Sequence, residues 1–175
     1  MAELPKLTFV LGGASSGKSA FAEGLVVATG APRVYVATSQ IYDDEMAAKV
    51  RDHVAARGND WHTIEEPLDM AKALSQVGDD QVVLLDCASM WLTNHMMAKH
   101  DLAVETEALI AALAACKGRV VVVSNEVGMG IVPDNALARR FRIAQGKLNQ
   151  RLAETANLGV FVIAGLPQVL KGDLP

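Results

Sequence analysis

The sequence is short of cysteine, of aromatic side chains and of any strong excess of one charge, and each shortage removes a class of protein. Cys87 and Cys116 are its two cysteines, far apart and with no Cys-x-x-Cys spacing. Neither a disulfide framework nor a cysteine-based zinc site fits them, and each is expected to be a small buried hydrophobe. Aromatic residues make up 5% of the chain against 51% hydrophobic and 21% charged; a core of Val, Leu and Ala suits an α/β protein. With a formal net charge of −4 and no dense Lys/Arg run, no nucleic-acid partner is expected, and a small-molecule partner fits better. No apolar segment approaches about 18 unbroken residues, and the start "MAELPKLTFVLGG" lacks a basic region and a small-residue cleavage site. The expectation is a cytoplasmic protein with no stable membrane insertion. Internal repeats, low-complexity stretches and Pro/Gly/Ser linkers are also missing. The simplest organisation is a single domain over residues 1–175, a length at which folding buries roughly 70% of the unfolded surface.

What is present is a series of β-branched runs: "LTFVL" (7–11), "RVYVAT" (33–38), "QVVLLD" (81–86), "RVVVVS" (119–124) and "GVFVIAG" (159–165). Helical periodicity lies between them. Continuous apolar strands alternating with helices predict a mainly parallel central sheet with helices on both faces. Helices are expected over 18–29, stopped by Gly30 and Pro32, over 43–57, over 68–77, twice between Ser89 and Cys116, and over 135–157. The last places Leu137, Phe141, Ala144, Leu148 and Leu152 on one stripe, read as core. "WHTIEEP" adds a short strand.

The chemistry begins with "GGASSGKS" directly behind the first strand. Gly12, Gly17, Lys18 and Ser19 satisfy G-x-x-x-x-G-K-[ST] between a buried strand and a helix, the context the P-loop motif requires. A glycine-rich turn lets successive backbone N–H groups point at phosphate oxygens, and a helix N-terminus adds positive potential. Lys18 reaches the β- and γ-phosphates in such a loop, and the Ser19 hydroxyl helps to hold Mg2+. Asp86 ends an apolar strand where P-loop proteins place the acid that orders magnesium; a capping role for the next helix fits the same place, and both can hold together. The fold class is thus α/β, P-loop NTPase-like. A GTPase switch is disfavoured because Asp86 leads into "CASM" and no Asn-Lys-x-Asp follows, and a motor ATPase because no second module is evident.

On the predicted helix 43–57, Lys49, His53 and Arg57 fall at i, i+4 and i+8, beside an apolar line of Met46, Val50 and Val54. Flanking cations favour a neutral imidazole, which is a competent nucleophile toward phosphorus. A merely solvated helix face gives the same pattern. His62, beside Trp61, fits packing or substrate contact. No two of the four histidines share a helix face with a carboxylate at zinc-ligand spacing, so no structural metal is expected. "SNEVGMGIVPDN" (124–135) is a loop at a strand's carboxyl end, where open α/β sheets bind ligands, and an ordinary strand-to-helix connection is its other reading.

Taken together, "GGASSGKS", "VATSQIYDDEMAAKVRDH", "LLDCASMWLTN", "SNEVGMGIVP" and "GKLNQRLAE" resemble the bifunctional adenosylcobinamide kinase/adenosylcobinamide-phosphate guanylyltransferase family of cobalamin biosynthesis, in the family's order and over nearly the whole chain. The resemblance implies two reactions. Adenosylcobinamide is phosphorylated on its aminopropanol hydroxyl with ATP or GTP, and GMP is then moved from GTP to adenosylcobinamide phosphate through a guanylylated histidine, giving adenosylcobinamide-GDP and pyrophosphate. The matching histidine is His53, with Lys18 as the second catalytic residue. The resemblance carries nucleotide contacts to Gly12, Gly13, Ala14, Ser15, Ser16, Gly17, Lys18 and Ser19, to Ala37, Thr38 and Ser39, to Val54, Ala55, Ala56 and Arg57, and to Glu65 and Asp86. Mg2+ falls to Ser19 and Asp86. A homotrimer with active sites near subunit boundaries is also implied.

The chain departs from the pattern where relatives often carry Arg at the position of Ser15, where they often read Phe-Arg-Asp against Phe141-Arg142-Ile143, and where His95 replaces an apolar residue after "LTN". None of these touches Lys18, Ser19, His53 or Asp86. For the kinase step Glu126 and Asp86 are both candidate general bases. The competing functions are a P-loop kinase of another small metabolite and a nucleotide-binding regulatory protein, which labelling from GTP separates.

Overall fold

The computed structural model describes residues 3–40 and 60–175. Its strands are β1 (Leu7–Gly12), β2 (Arg33–Ala37), β3 (Trp61–Glu65), β4 (Val82–Asp86), β5 (Arg119–Asn125), β6 (Leu158–Ile163) and β7 (Leu166–Lys171). Its helices are α1 (Lys18–Ala28), α2 (Met70–Leu74), α3 (Ala88–Met97), α4 (Leu102–Ala115) and α5 (Ala136–Thr155). The strands form one sheet in the order β3-β2-β4-β5-β1-β6-β7, parallel throughout except for β7. The expected α/β architecture with a mainly parallel sheet is present.

Period-two side-chain alternation explains why both faces need cover. Along β5, Val120 and Val122 enter one core with Phe9, Val34, Val36, Val83 and Leu85, while Val121 and Val123 enter another with Val10, Leu84, Val160 and Val162. Helices α2 to α5 close the first core and α1, through Ala22 and Val26, the second. Burying one such Leu or Val contributes about 1.5–3 kcal/mol. In α5, Leu148 and Leu152 are buried, and Phe141 and Ala144 pack against the core's edge. Leu137 departs from the expected stripe: it sits in the first turn, half exposed and outside the core cluster.

The helix expected over 68–77 is shorter than its pattern. It starts where the Asp69 carboxylate accepts the Lys72 N–H at 2.9 Å and ends at Leu74. The two helices between Ser89 and Cys116 are α3 and α4, the latter capped by Asp101, which accepts from Ala103 and Val104. The predicted helix 43–57 lies outside the described residues. Strand β7 has no counterpart in the sequence reading. Ala164 and Gly165, at φ 52° and 78°, make a two-residue turn between the paired Ile163 and Leu166, the geometry that tight hairpins favour. All six β7 residues are exposed, so no burial pattern marks the strand. Pro167 is tolerated because β7 is an edge strand.

Parallel register brings the carboxyl ends of the strands into one line. Glu65 pairs with Ala37, Ala37 with Asp86, Asp86 with Val123, and Asn125 with Gly12. That line carries the site.

Candidate active site

The loop leaving β1 is shaped by backbone contacts. Ser16 N–H donates to Gly13 O at 3.3 Å, and Gly17, at φ 89°, turns the chain into α1. The helix's first bond runs from Phe21 N–H to Gly17 O, so the N–H groups preceding it lack intrahelical acceptors, as at any helix start. No side chain caps this end, although the Ser16 hydroxyl lies 3.4 Å from Lys18 N. Lys18 Nζ donates to the Gly13 carbonyl at 3.0 Å, folding the ammonium back over its own loop. Gly165 N–H donates to Ser16 O at 2.7 Å, and a Cβ at Gly17 would meet Gly165 Cα at 3.0 Å. The β6–β7 turn therefore braces the P-loop from outside, a contact that the motif does not announce. Ser15 is exposed at φ 55°.

Across the sheet, Thr38 latches β2 to the end of β4. Its hydroxyl donates to Cys87 O at 2.8 Å and accepts from Cys87 N–H at 2.9 Å. Asn94 of α3 donates to Thr38 O at 2.8 Å and to Pro67 O at 3.0 Å. One side chain thus ties the chain after β2 to the chain after β3. Tyr35 hydroxyl donates to Asp86 Oδ2 at 3.3 Å. The cap of α3 is Cys87, whose sulfur accepts the Met90 N–H at 3.4 Å, so the proposed capping role of Asp86 passes to its neighbour. Burial first, and then the Asp86 carboxylate, push the Cys87 thiol up to about 11, and the Lys18 ammonium opposes them. Both cysteines are buried and free, as expected.

Residues 12–19, 37–39, Glu65 and Asp86 accordingly share one sheet edge, with Ser19 and Asp86 half-buried and Glu65 exposed. Ser19 and Asp86 offer hard oxygen donors, the donor chemistry of a Mg2+ site that takes its remaining ligands from water and phosphate. His53, Val54, Ala55, Ala56 and Arg57 lie outside the described residues.

A buried polar group below the β5 exit escaped the sequence reading. Ser124 hydroxyl donates to Asn149 Oδ1 at 2.7 Å, Gln145 Nε2 donates to both, and Asn149 Nδ2 donates to Asn125 O at 3.1 Å. Ser89 hydroxyl accepts Asn125 N–H at 2.9 Å. Strand end, α3 and α5 are thereby locked together. The available signal was two amides, Gln145 and Asn149, one turn apart within a helix whose neighbouring buried positions are leucines. Above the lock, the loop after β5 closes on itself. Glu126 carboxylate accepts Gly128 N–H, Arg142 donates to Gly128 O and Gly130 O, and Arg139 donates to Pro133 O and Asp134 O. Glu126 N–H donates to Gly12 O at 2.9 Å, joining this loop to the P-loop's first residue. Ile143 is exposed.

A P-loop at the carboxyl end of a central parallel strand, with an acid ending a nearby strand, defines a P-loop nucleotide-binding protein. Solved structures agree on the fold. The flagellar accessory protein FlaH from Methanocaldococcus jannaschii superposes with a TM-score of 0.54 at 14% identity, over 97% of this chain and 80% of that one. The RadB recombinase does so with 0.51 at 17%, over 89% and 73%. At these identities the likeness is one of fold: an α/β chain with a mainly parallel central sheet.

The chain belongs to the cobinamide kinase / cobinamide phosphate guanyltransferase family, whose profile matches residues 8–170. It is 42% identical to the bifunctional adenosylcobalamin biosynthesis protein CobP of Pseudomonas aeruginosa, over 94% of this chain and 96% of that protein. It is 38% identical to the corresponding protein CobU of Escherichia coli and 42% to that of Salmonella typhimurium, each over 94% of this chain and 99% of the relative. Kinase and guanylyltransferase chemistry in cobalamin biosynthesis is therefore its function.

Proposed function

We propose that one P-loop, in a single domain, serves both reactions, and that the choice of phosphorus attacked is made by what approaches the nucleotide. In the kinase step the aminopropanol hydroxyl of adenosylcobinamide attacks the γ-phosphorus of ATP or GTP. An O–P bond forms, the bond to the β-phosphate oxygen breaks, a nucleoside diphosphate leaves and the hydroxyl proton passes to a base. In the second reaction a nitrogen of His53 attacks the α-phosphorus of GTP and pyrophosphate departs. An oxygen of adenosylcobinamide phosphate then displaces the histidine, breaking the P–N bond and giving adenosylcobinamide-GDP.

The observation that carries this reading is the preformed cradle. Lys18 Nζ is already folded over the loop at 3.0 Å from Gly13 O, beside the start of α1, where the first N–H groups lack intrahelical acceptors. Held there, a β,γ-diphosphate unit is gripped in the same way whether it is partly transferred or leaves as pyrophosphate. The Lys18 ammonium offsets the charge that develops in either case. Ser19 and Asp86 would hold Mg2+, which would lower the charge built up in transfer. Residues 37–39, Glu65 and 54–57 complete the nucleotide contacts in this scheme. The role of His53 rests on the family resemblance and on its place between Lys49 and Arg57.

The protein works as a cytoplasmic homotrimer on nucleotides and corrinoids, without nucleic acid. Among the described residues no helix is long and apolar enough to cross a membrane. The test is separation of the two activities. His53→Ala retains phosphorylation of cobinamide and loses GMP transfer, whereas Lys18→Ala loses both. A His53→Ala enzyme that still makes cobinamide-GDP overturns the scheme, and a native enzyme that only phosphorylates identifies a simple metabolite kinase.

A further inference from the structure

Away from the nucleotide edge, three side chains converge that no single-helix spacing could reveal. His95 lies in the last turn of α3, His100 in the connection that follows, and Glu105 in the first turn of α4. The connection doubles back: Lys99 takes φ 59° and His100 N–H donates to His95 O at 3.1 Å. His100 Nδ1 is thereby set 2.9 Å from His95 Nδ1. Glu105 turns one oxygen to each ring, Oε2 at 3.6 Å from His95 Nδ1 and Oε1 at 3.8 Å from His100 Nδ1. All the donor atoms lie within 4.8 Å of one another. Asp101 stays outside, since its carboxylate caps α4.

The tautomer of His95 follows from its other nitrogen. Nε2 lies 3.2 Å from the Leu68 carbonyl oxygen, which can only accept, so Nε2 carries the proton and Nδ1 presents its lone pair to His100 and Glu105. A backbone carbonyl on the far nitrogen is the usual support of a metal-ligating histidine. The ring is 3% exposed and packs 4.5 Å, centroid to centroid, from Trp91, so its direction is fixed. Bond lengths of about 2.0–2.1 Å to a tetrahedral Zn2+ separate its ligand atoms by about 3.3 Å. The observed 2.9, 3.6 and 3.8 Å bracket that value. The two ligands that must adjust, His100 and Glu105, are the more accessible ones, at 41% and 31%.

We propose that His95, His100 and Glu105 form a site for a borderline divalent cation of the zinc class, with the fourth position facing the adjoining groove. That groove, about 240 Å³, gives access from solvent. Two imidazoles and a carboxylate select Zn2+ or Co2+ over Mg2+, unlike the oxygen donors of Ser19 and Asp86. The cation would cross-link the α3–α4 corner. Through Leu68 O, which also accepts from Trp91 Nε1 at 2.9 Å, it would steady the segment following β3 and Glu65.

The test uses the whole chain, stripped with chelator and without nucleotide, titrated with Zn2+ by calorimetry and with Co2+ by visible absorption. The proposal expects one saturable site per chain, the intense absorption of four-coordinate Co2+, and a rise in melting temperature with Zn2+. His100→Ala, at an exposed position, and Glu105→Gln, at a half-buried one where the amide keeps the side chain's shape, should each weaken binding at least tenfold and abolish the absorption band. Ser19→Ala and His53→Ala should leave both unchanged. Absence of saturable binding to the native chain, or a site that persists undiminished in His100→Ala and Glu105→Gln, overturns it.

Discussion

Substitution of Gly17 by alanine separates strain from mere proximity to the nucleotide. The residue sits at φ 89°, ψ 5°, where an L side chain costs roughly 1–2 kcal/mol. Its Cβ would lie 3.0 Å from Gly165 Cα and 3.4 Å from Gly165 N, both backbone atoms that cannot swing aside like a flexible side chain. The turn must then shift, weakening the 2.7 Å bond from Gly165 N–H to Ser16 O, a loss of about 1 kcal/mol. The sum is about 2–3 kcal/mol, and at this chain length it lowers the melting temperature by roughly 5–10 °C. Gly13→Ala is the control, because nothing lies within 4 Å of its Cβ and its φ is not left-handed. It should cost less than about 0.5 kcal/mol. Thermal unfolding monitored by circular dichroism, without nucleotide, reads both. A Gly17→Ala protein that melts with Gly13→Ala and the parent would refute the bracing of the P-loop by the β6–β7 turn.

Lys18→Ala should lower kcat/KM about 1,000-fold in both reactions, near 4 kcal/mol of transition-state stabilisation, while equilibrium unfolding changes by under about 1 kcal/mol; unequal losses in the two assays would argue against a shared P-loop. Asn149→Leu should destabilise the fold by about 1–3 kcal/mol, measured by urea unfolding, because Ser124, Gln145 and Asn125 O lose their buried partner. Cys87, pushed up from 9.0 to about 11, should carry about 100-fold less thiolate at pH 8 than an ordinary thiol and alkylate correspondingly slowly in the folded state. Its raised folded value favours the neutral thiol, so the contribution, about 3 kcal/mol, is fully present below pH 9 and is lost as pH rises through about 11. Unfolding midpoints that stay constant across pH 9–11 would contradict this.

The parts of the molecule readable in advance are those whose physics is local. β-Branched runs specified five strands, and the glycine spacing of residues 12–19 named the phosphate cradle before any geometry was known. Asp86 was placed correctly at a strand end because it closes a fully apolar run, whereas the cap of the next helix fell to Cys87. The remainder depends on contacts between distant segments. The brace at Gly165 joins residues nearly the whole chain apart, and β7 carries no burial pattern because all of it is exposed. Gln145 and Asn149 look like ordinary polar helix residues until the β5 exit is set against them. Leu137 fits the apolar stripe by spacing, yet only the tertiary arrangement decides that the core ends before it. His95, His100 and Glu105 span a helix end, a turn and a helix start, so a search along single helix faces passes over them.

The central claim is that a nucleoside triphosphate is attacked at two different phosphorus atoms on one P-loop, with His53 carrying GMP from GTP to adenosylcobinamide phosphate. Incubation with GTP labelled at the α-phosphate, followed by acid and alkali treatment of the denatured protein, tests it most directly. The account predicts stoichiometric, acid-labile and alkali-stable α-label on the native chain. That label should map to the peptide containing His53, chase into cobinamide-GDP when cobinamide phosphate is added, and be absent from His53→Ala. Retention of γ-label instead, or α-label that persists in His53→Ala, would contradict it.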